Sequence, residues 1–523
     1  MNPKILSLIR EKGILLEKDL FELLKEFDDV KLAGDFLEGL ESVSGQKIIT
    51  TSSLNKNLNY VQEIVKELPG EMKGLVERTF FKLGLSLEIK KEIEIKSGEN
   101  VEKKNNNYQI FYADTKNEKK INVQDFVGHF RARYHQLQGI LMDRPELQNL
   151  ISINKISRER NSFNIIGIVS EKRKTKNGNL IVKFEDMTGS ISALFKKDGD
   201  CFVTAEELQM DDVVAVKASG NNEMIFGHEI IFPDVFKDKV KFDEEVCIGF
   251  ISDVHTGSAK HLGEEFKRFL EWIKSDDELA KKIKYLFFVG DNVDGVGVFP
   301  GQESLLKLTS LKEQYNLLAS YLKEIPSDIT MFMCPGQHDS VRVPEPQPVI
   351  DNYYGEALYE IPNLVLVSNP STIKILEKDK VFKVLMYHGA SIHTFINEIT
   401  ELRMLKAHKC PAKAVKHMLK RRHLAPMHGV STSIVYVPNA KKDPLVISEA
   451  PDVLCTGEVH RLDIENYHGV LIITGSCWQA QTDFEEKVGN IPDPCKVPVL
   501  NLKTRELKIL DFTGNSEENK NGH

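Results

Sequence analysis

Five short motifs between residues 252 and 460 hold the residues that could do chemistry. They are Asp253 and His255 in SDVHTG, Asp291 and Asp294 in GDNVDG, His338 and Asp339 in PGQHDS, His388 in MYHGAS, and Glu458 and His460 in TGEVH. Mixed carboxylate and imidazole donors suit a pair of divalent cations, with one carboxylate bridging two metals roughly 3.5–4 Å apart. Such a pair activates water and stabilises a phosphoryl transition state. A single D-x-H would weigh little, because a histidine near a strand end is more often a structural hydrogen bonder. Several such motifs in order on one pattern point to a site.

The elements that must position them are apolar strand-like runs alternating with helical segments after Phe242: VCIGFIS, KYLFFVG, ITMFMCP, LVLVS, VLMYHG and VLIITGS. This is the signature of a layered α/β domain. Most runs are followed at once by a polar residue of catalytic type, where ligands bind in open α/β sheets. Upstream, from Asn164 to Phe236, five short β-rich runs are separated by Asn-Gly, Thr-Gly and Gly-Asn-Asn turns, which suggests a small barrel of the OB type. Lys172, Arg173, Lys174 and Lys176 precede the first of these turns. They are either a phosphate contact or a solvated charged hairpin.

Ahead of the barrel, Ile5 to Leu40 carries apolar residues at three- and four-residue spacing, with Gly13 between two segments, and Leu58 to Leu83 is a second helical stretch. Ser97 to Asn122 is rich in Asn and Lys and reads as a linker. Its apolar island, Tyr108 to Tyr112, is either a docking segment or a chance cluster. Phe126 to Leu141 resumes helical spacing, with Arg131 and Arg133 expected to project from it. The expected organisation is a helical N-terminal region (1–96), a polar linker (97–125), a helical bridge (126–157), an OB-fold domain (158–240), an α/β domain (241–513) and a disordered tail (514–523).

A chain of 523 residues calls for two to four domains, and 41% apolar with 28% charged residues is a globular balance. The net charge of −8 argues against coating nucleic acid by bulk electrostatics, so any DNA contact is expected to be local. Seven dispersed cysteines form no C-x-x-C pair and read as reduced thiols. The first residues hold no signal-peptide core, and no run of about 18 apolar residues occurs, so a cytoplasmic protein without a membrane partner is expected.

The order D-x-H, G-D-x-x-D-G, G-x-H-D, H-G and G-x-x-H resembles the calcineurin-like metallophosphoesterases. RARYHQL, SDVHTGSAKH, RRHLAP and the block YHGVLIITGSCWQAQTDFEEKVGNIPDPCKVPVLNL narrow the resemblance to the small subunits of archaeal family D DNA polymerases. The resemblance implies an OB-fold joined to a calcineurin-like domain, a large catalytic subunit as partner, and 3′→5′ exonuclease chemistry on single-stranded DNA ends. It places Asp253, His255, Asp291 and His460 on a first metal. Asp291 would bridge to a second metal, which adds Gln337, His388 and Glu458. His338, held by Asp339, would stand beside the scissile phosphate as charge stabiliser or proton donor. Asp294 is either a support behind a ligand or a turn residue.

Two positions depart from the family pattern: Gln337 stands for asparagine and Glu458 for histidine. The extra methylene of glutamine displaces its carbonyl by roughly 1.5 Å, against a metal-distance tolerance of about 0.2 Å. Glutamate remains an oxygen ligand and favours hard ions such as Mn²⁺ or Mg²⁺. The alternative to a working nuclease is a decayed phosphoesterase serving as a structural polymerase subunit; a stand-alone phosphatase of the same superfamily is the third reading.

Overall fold

Along Cys247–Ile251, side chains alternate between two apolar environments: Cys247 and Ile251 face helices, while Ile248 and Phe250 face a second sheet. The two-residue period of a strand buried on both faces requires this. Thr330–Cys334 repeats it, with Met331 and Met333 on the helix side and Phe332 and Cys334 on the sheet side.

The computed structural model describes residues 101–105, 107–115, 120–158, 161–427 and 436–514, with short stretches among the first hundred, chiefly 12–17, 30–44 and 47–49. It divides into two compact units, residues 1–97 with 152–156, and residues 98–151 with 157–523.

In the larger unit two sheets pack face to face. One runs in the order Leu364–Leu366, Thr330–Cys334, Ile283–Val289, Cys247–Ile251, Lys496–Asn501, Leu507–Asp511, its first four strands parallel. The other runs Asp463–Tyr467, Val470–Thr474, Val453–Thr456, Lys380–Met386, Ser371–Glu377, Tyr108–Tyr112, Val101–Asn105. Phe250, Phe287, Phe332, Ile373, Val384 and Ile473 fill the space between them. Helices Gly263–Ile273 and Leu311–Leu322 cover the outer face of the first sheet, and Ile392–Glu398 and Ala412–Arg421 that of the second. All six strand-like runs expected from the sequence are strands.

A closed barrel, in the order Asn161–Lys174, Leu180–Glu185, Ser190–Phe195, Ile225–Ile231, Val213–Gly220, occupies the expected place. The buried Arg421 joins it to the helix beneath, its Nε 3.0 Å from Asp212 Oδ1 and its Nη2 donating to the Glu207 carbonyl at 2.7 Å. Of the basic hairpin residues, Lys172 turns inward and donates to the carbonyls of Glu206 and Leu208 at 2.6 and 2.7 Å, and Lys174 pairs with the Glu206 carboxylate.

The segment expected to be a polar linker differs. Tyr108–Tyr112 pairs in register with Ser371–Glu377, and Val101–Asn105 continues the sheet beyond it. Tyr108 and Ile110 are buried in the inter-sheet core, so the apolar island docks on the chain's own sheet. The helical bridge is Val123–Met142, begun by an Asn122 capping box with Asp125 and packed on the barrel through Tyr134, Leu137 and Leu141.

Arg133 does not project into solvent. It is fully buried: its Nε donates to Asp443 Oδ2 at 2.7 Å, Nη1 to the Pro426 carbonyl at 2.6 Å and Nη2 to the Tyr436 hydroxyl at 2.9 Å. His423 Nε2 lies 2.8 Å from the same Asp443 oxygen. A buried cation needs such partners, and here they come from a segment some three hundred residues away in sequence.

In the smaller unit, the described residues hold helix Val30–Ser44, with Ala33, Phe36, Leu37 and Leu40 buried, and a parallel pair, Leu15–Leu16 with Ile48–Ile49. Of the expected helix over Leu58 to Leu83 only Val76, helical and buried, is among the described residues, and of the expected tail 514–523 only Gly514 is. Among the described residues no helix is long and apolar enough to cross a membrane.

Asp443→Ala leaves the Arg133 guanidinium buried without its carboxylate, and should cost about 3–5 kcal/mol. A chemical-denaturation midpoint unchanged from the parent would show that this ion pair does not hold the helix.

Candidate metal centre

The motifs follow the C-terminal ends of five parallel strands: Cys247–Ile251, Ile283–Val289 and Thr330–Cys334 in one sheet, Lys380–Met386 and Val453–Thr456 in the other. Five residues there have left-handed backbone although none is glycine: Asp253 (φ 50°), His255 (47°), Asp291 (46°), Glu458 (71°) and His460 (57°). Each such residue costs about 1–3 kcal/mol and persists only where its surroundings enforce it. The enforcement is mutual. Asp253 N donates to the Gly290 carbonyl at 3.1 Å, His255 N to the Asp291 carbonyl at 3.0 Å, and Glu458 N to Asp253 Oδ1 at 3.1 Å. Gly457 must be glycine, because a Cβ there would overlap the Asp253 carboxylate.

Asp253, His255 and His460 form one potential ligand group. His255 Nδ1 lies 2.9 Å from Asp294 Oδ1, and His460 Nδ1 lies 3.1 Å from Glu485 Oε1. A carboxylate at Nδ1 fixes the proton there and turns the Nε2 lone pair forward. The two Nε2 atoms then face each other at 3.1 Å. Two lone pairs at that distance call for a cation or a proton between them. Burial presses the His460 imidazole down, but Cys477, Asp253 and Glu485 outweigh it and hold its pKa well above the ordinary value.

Asp253, Asp291 and His388 form a second group. His388 Nδ1 is tied to the Val289 carbonyl at 3.0 Å, and its Nε2 lies 3.2 Å from both Asp291 Oδ2 and Glu458 Oε2. Despite that proximity, His388 Nε2 makes no hydrogen bond of acceptable direction, and Asp253 Oδ2 is also buried without a partner. Burial pushes the Asp291 and Glu458 carboxyls up, but His388 and its neighbours outweigh it and hold both well below the usual carboxylate range. Orphaned polar atoms cost about 1–3 kcal/mol each, and bound cations would satisfy both of these. The mixed carboxylate and imidazole donors of the two groups fit divalent cations.

Gln337 is half-buried, and no hydrogen bond of its amide occurs among the described residues. The residues on either side are fixed: Gly336 N donates to Asp339 Oδ2 at 2.9 Å, and His338 N to Asp291 Oδ1 at 2.8 Å. The His338 ring is not held by Asp339. Its Nδ1 bonds the Asp294 carbonyl at 2.7 Å, and the ring stands edge-on to His255 at 4.9 Å. Asp339 points beneath the loop, where Gly336, Asn292 and the Tyr315 hydroxyl need an acceptor. Burial, with the Asp291 charge, pushes its carboxyl up to about 6.

Asp294, left open between support and turn residue, is the support of His255 and is itself fixed by Gln479 Nε2 at 3.1 Å. Glu485 went unremarked in the sequence. Its T-x-x-E spacing from Thr482 is a capping box for helix Asp483–Val488, and the same carboxylate orients His460.

The profile of the family formed by the B-subunits of DNA polymerases alpha and epsilon matches residues 248–462, the span that contains every motif of this centre. The DNA polymerase II small subunit of Pyrococcus furiosus is 36% identical over 410 residues, which are 76% of this chain and 65% of that protein. The chain thus spans just under two thirds of the Pyrococcus protein's length. The DNA polymerase II small subunit of Thermoplasma acidophilum is 35% identical, over 78% of this chain and 81% of its own. That of Methanothermobacter thermautotrophicus is 32% identical over 98% of this chain and 100% of its own. Matched from end to end at this identity, the chain belongs to the DNA polymerase II small-subunit family.

Proposed function

We propose that this chain is the small subunit of a heterodimeric replicative DNA polymerase, and that its Asp–His centre hydrolyses phosphodiesters at single-stranded 3′ ends. The observation that carries the hydrolase is the pair of opposed Nε2 atoms of His255 and His460 beside the unpartnered His388 Nε2 and Asp253 Oδ2. The relatives' names support the subunit, its large catalytic partner and its DNA substrate.

Asp253, His255, Asp291 and His460 would hold one cation; Asp291, His388 and Glu458 would hold the other, with Gln337 the weakest candidate. Bound there, divalent cations of the Mn²⁺ or Mg²⁺ type supply an activated water and neutralise phosphate charge. The chain's own part is positioning and proton supply. His338, fixed at Nδ1 by the Asp294 carbonyl, offers its other nitrogen to the leaving 3′-oxygen. Burial lowers its pKa, but Asp291 and the Asp294 carbonyl outweigh that and raise it, which favours the protonated form this role needs. Of the basic hairpin, Arg173 and Lys176 are the candidates for phosphate contact.

The second reading, a polymerase scaffold whose hydrolase has decayed, is favoured by one observation: the Gln337 amide engages nothing among the described residues. Release of mononucleotides from single-stranded DNA in Mn²⁺, with and without the large subunit, separates the two.

Asp291→Ala should abolish that release while polymerisation by the complex continues, since Asp291 Oδ2 lies between the two imidazoles, 4.0 Å from His255 Nε2 and 3.2 Å from His388 Nε2. A mutant that still degrades single-stranded DNA would place the chemistry elsewhere. Asp294→Ala and Glu485→Ala should each weaken Mn²⁺ binding by about 10–100-fold, the usual effect of freeing a ligating imidazole. Titration of Mn²⁺ by electron paramagnetic resonance measures it, and unchanged affinity in both variants would remove His255 and His460 from the ligand set.

A further inference from the structure

The ligands of the first group share one construction: an imidazole offers Nε2 forward while a carboxylate holds Nδ1 behind, Asp294 for His255 and Glu485 for His460. Glu458 reverses it. One carboxylate oxygen, Oε2, faces His388 Nε2 at 3.2 Å, and the other, Oε1, faces His393 Nε2 at 3.4 Å. His393 Nδ1 lies in turn 3.2 Å from His408 Nε2. His393 is the second residue of helix Ile392–Glu398, just past the His388 motif, and His408 lies in the turn Ala407–Lys409. Glu458, His393 and His408 therefore form a line from the buried centre to the surface, where the His393 side chain is 43% exposed.

A carboxylate has two equivalent oxygens, and an imidazole ligand offers one nitrogen at a time. With both oxygens free, Glu458 could turn or bind through both at once. A donor fixed on Oε1 leaves Oε2 alone for the cation side. Resting on the two-cation reading of the centre, we propose that His393 is a positioning residue for the second cation: its Nε2–H holds Glu458 Oε1 and aims Oε2 toward His388. His408 Nε2–H donates to His393 Nδ1 and so fixes the tautomer that carries the proton at Nε2. Carboxylate and imidazole have exchanged places here relative to the first group.

An ion pair this exposed is often worth little, and the test must separate positioning from that. The probe is Mn²⁺ alone, added to the full-length chain and followed by calorimetry and electron paramagnetic resonance. The parent should bind two ions. His393→Ala should leave one affinity unchanged and weaken the other by about 10–100-fold, and His393→Gln, whose amide N–H can replace Nε2–H, should restore most of it. In a Glu458→His background, where there is no second oxygen to hold, His393→Ala should change nothing. Two bound ions with His393→Ala within about twofold of the parent, or an equal loss in the Glu458→His background, overturns the positioning role alone. A parent chain that binds no Mn²⁺ overturns the two-cation reading and this inference with it.

Discussion

Asp253, Asp291 and Glu458 are gathered round one buried imidazole, and the repulsion among their charges is the constraint on which the rest of the centre depends. Like charges 4 Å apart repel by about 4 kcal/mol even at an effective dielectric of about 20. His388, His460 and the backbone donors of Glu458 and His338 offset part of this. The loops cannot spread to relieve the rest, because each is bonded to another: Asp253 to Gly290, Glu458 to Asp253, and Gly457 to His388. Packing two parallel strand sets face to face across Phe250, Phe287 and Ile473 brings the ends of both sheets to one place. The hydrophobic core thereby holds together charges that would otherwise separate.

A further tier of buried polar residues carries that rigidity outward. Asp339 accepts from the Gly336 and Asn292 amides and from Tyr315, which stands on helix Leu311–Leu322. Asn369 accepts from the His388 amide, and Gln479 spans Ser258 and Asp294. None of these side chains can relax without leaving a buried donor or acceptor unmatched. The barrel stands outside this lattice. Its Asp212 and Glu207 grip Arg421 on helix Ala412–Arg421, which also packs on the outer face of the second sheet. It contributes no ligand to the centre among the described residues.

What the sequence made legible follows from the range of the forces involved. Strand runs and their terminal motifs could be read because alternation and chain order are local signals, and the barrel because its turns announce themselves. The strands at Val101–Asn105 and Tyr108–Tyr112 could not, since a stretch rich in Asn and Lys becomes sheet only through Tyr108–Tyr112 pairing with the distant Ser371–Glu377 and Val101–Asn105 pairing with Tyr108–Tyr112. Arg133 read as a solvated charge because its carboxylate, Asp443, lies far along the chain. Within the centre, D-x-H and G-x-H-D spacing identified the residues that converge, but not which carboxylate stands behind which imidazole. The resemblance implied Asp339 for His338, whereas the fold turns Asp339 under the loop and gives His338 the Asp294 carbonyl.

The backbone bears on whether the centre is maintained or a relic. Five β-carbon-bearing residues in left-handed conformation, at about 1–3 kcal/mol each, amount to a strain comparable with the whole stability of many domains. A scaffold with no use for the ligands could be relieved of much of that strain by glycine at any of these positions, and of the charge repulsion by replacing Asp253 or Asp291 with asparagine. The chain keeps Asp253, His255, Asp291, Glu458 and His460 in strained conformations. It also keeps Asp294 and Glu485 behind the two imidazoles, where they have geometric purpose only if the Nε2 atoms must point at something. Against this, Gln337 is the single position with no engaged side chain among the described residues of the centre, and it lies on a loop whose backbone is otherwise fixed on both sides. Strain retained at five positions and slack at one fit the proposed centre, with Gln337 as its weakest candidate ligand.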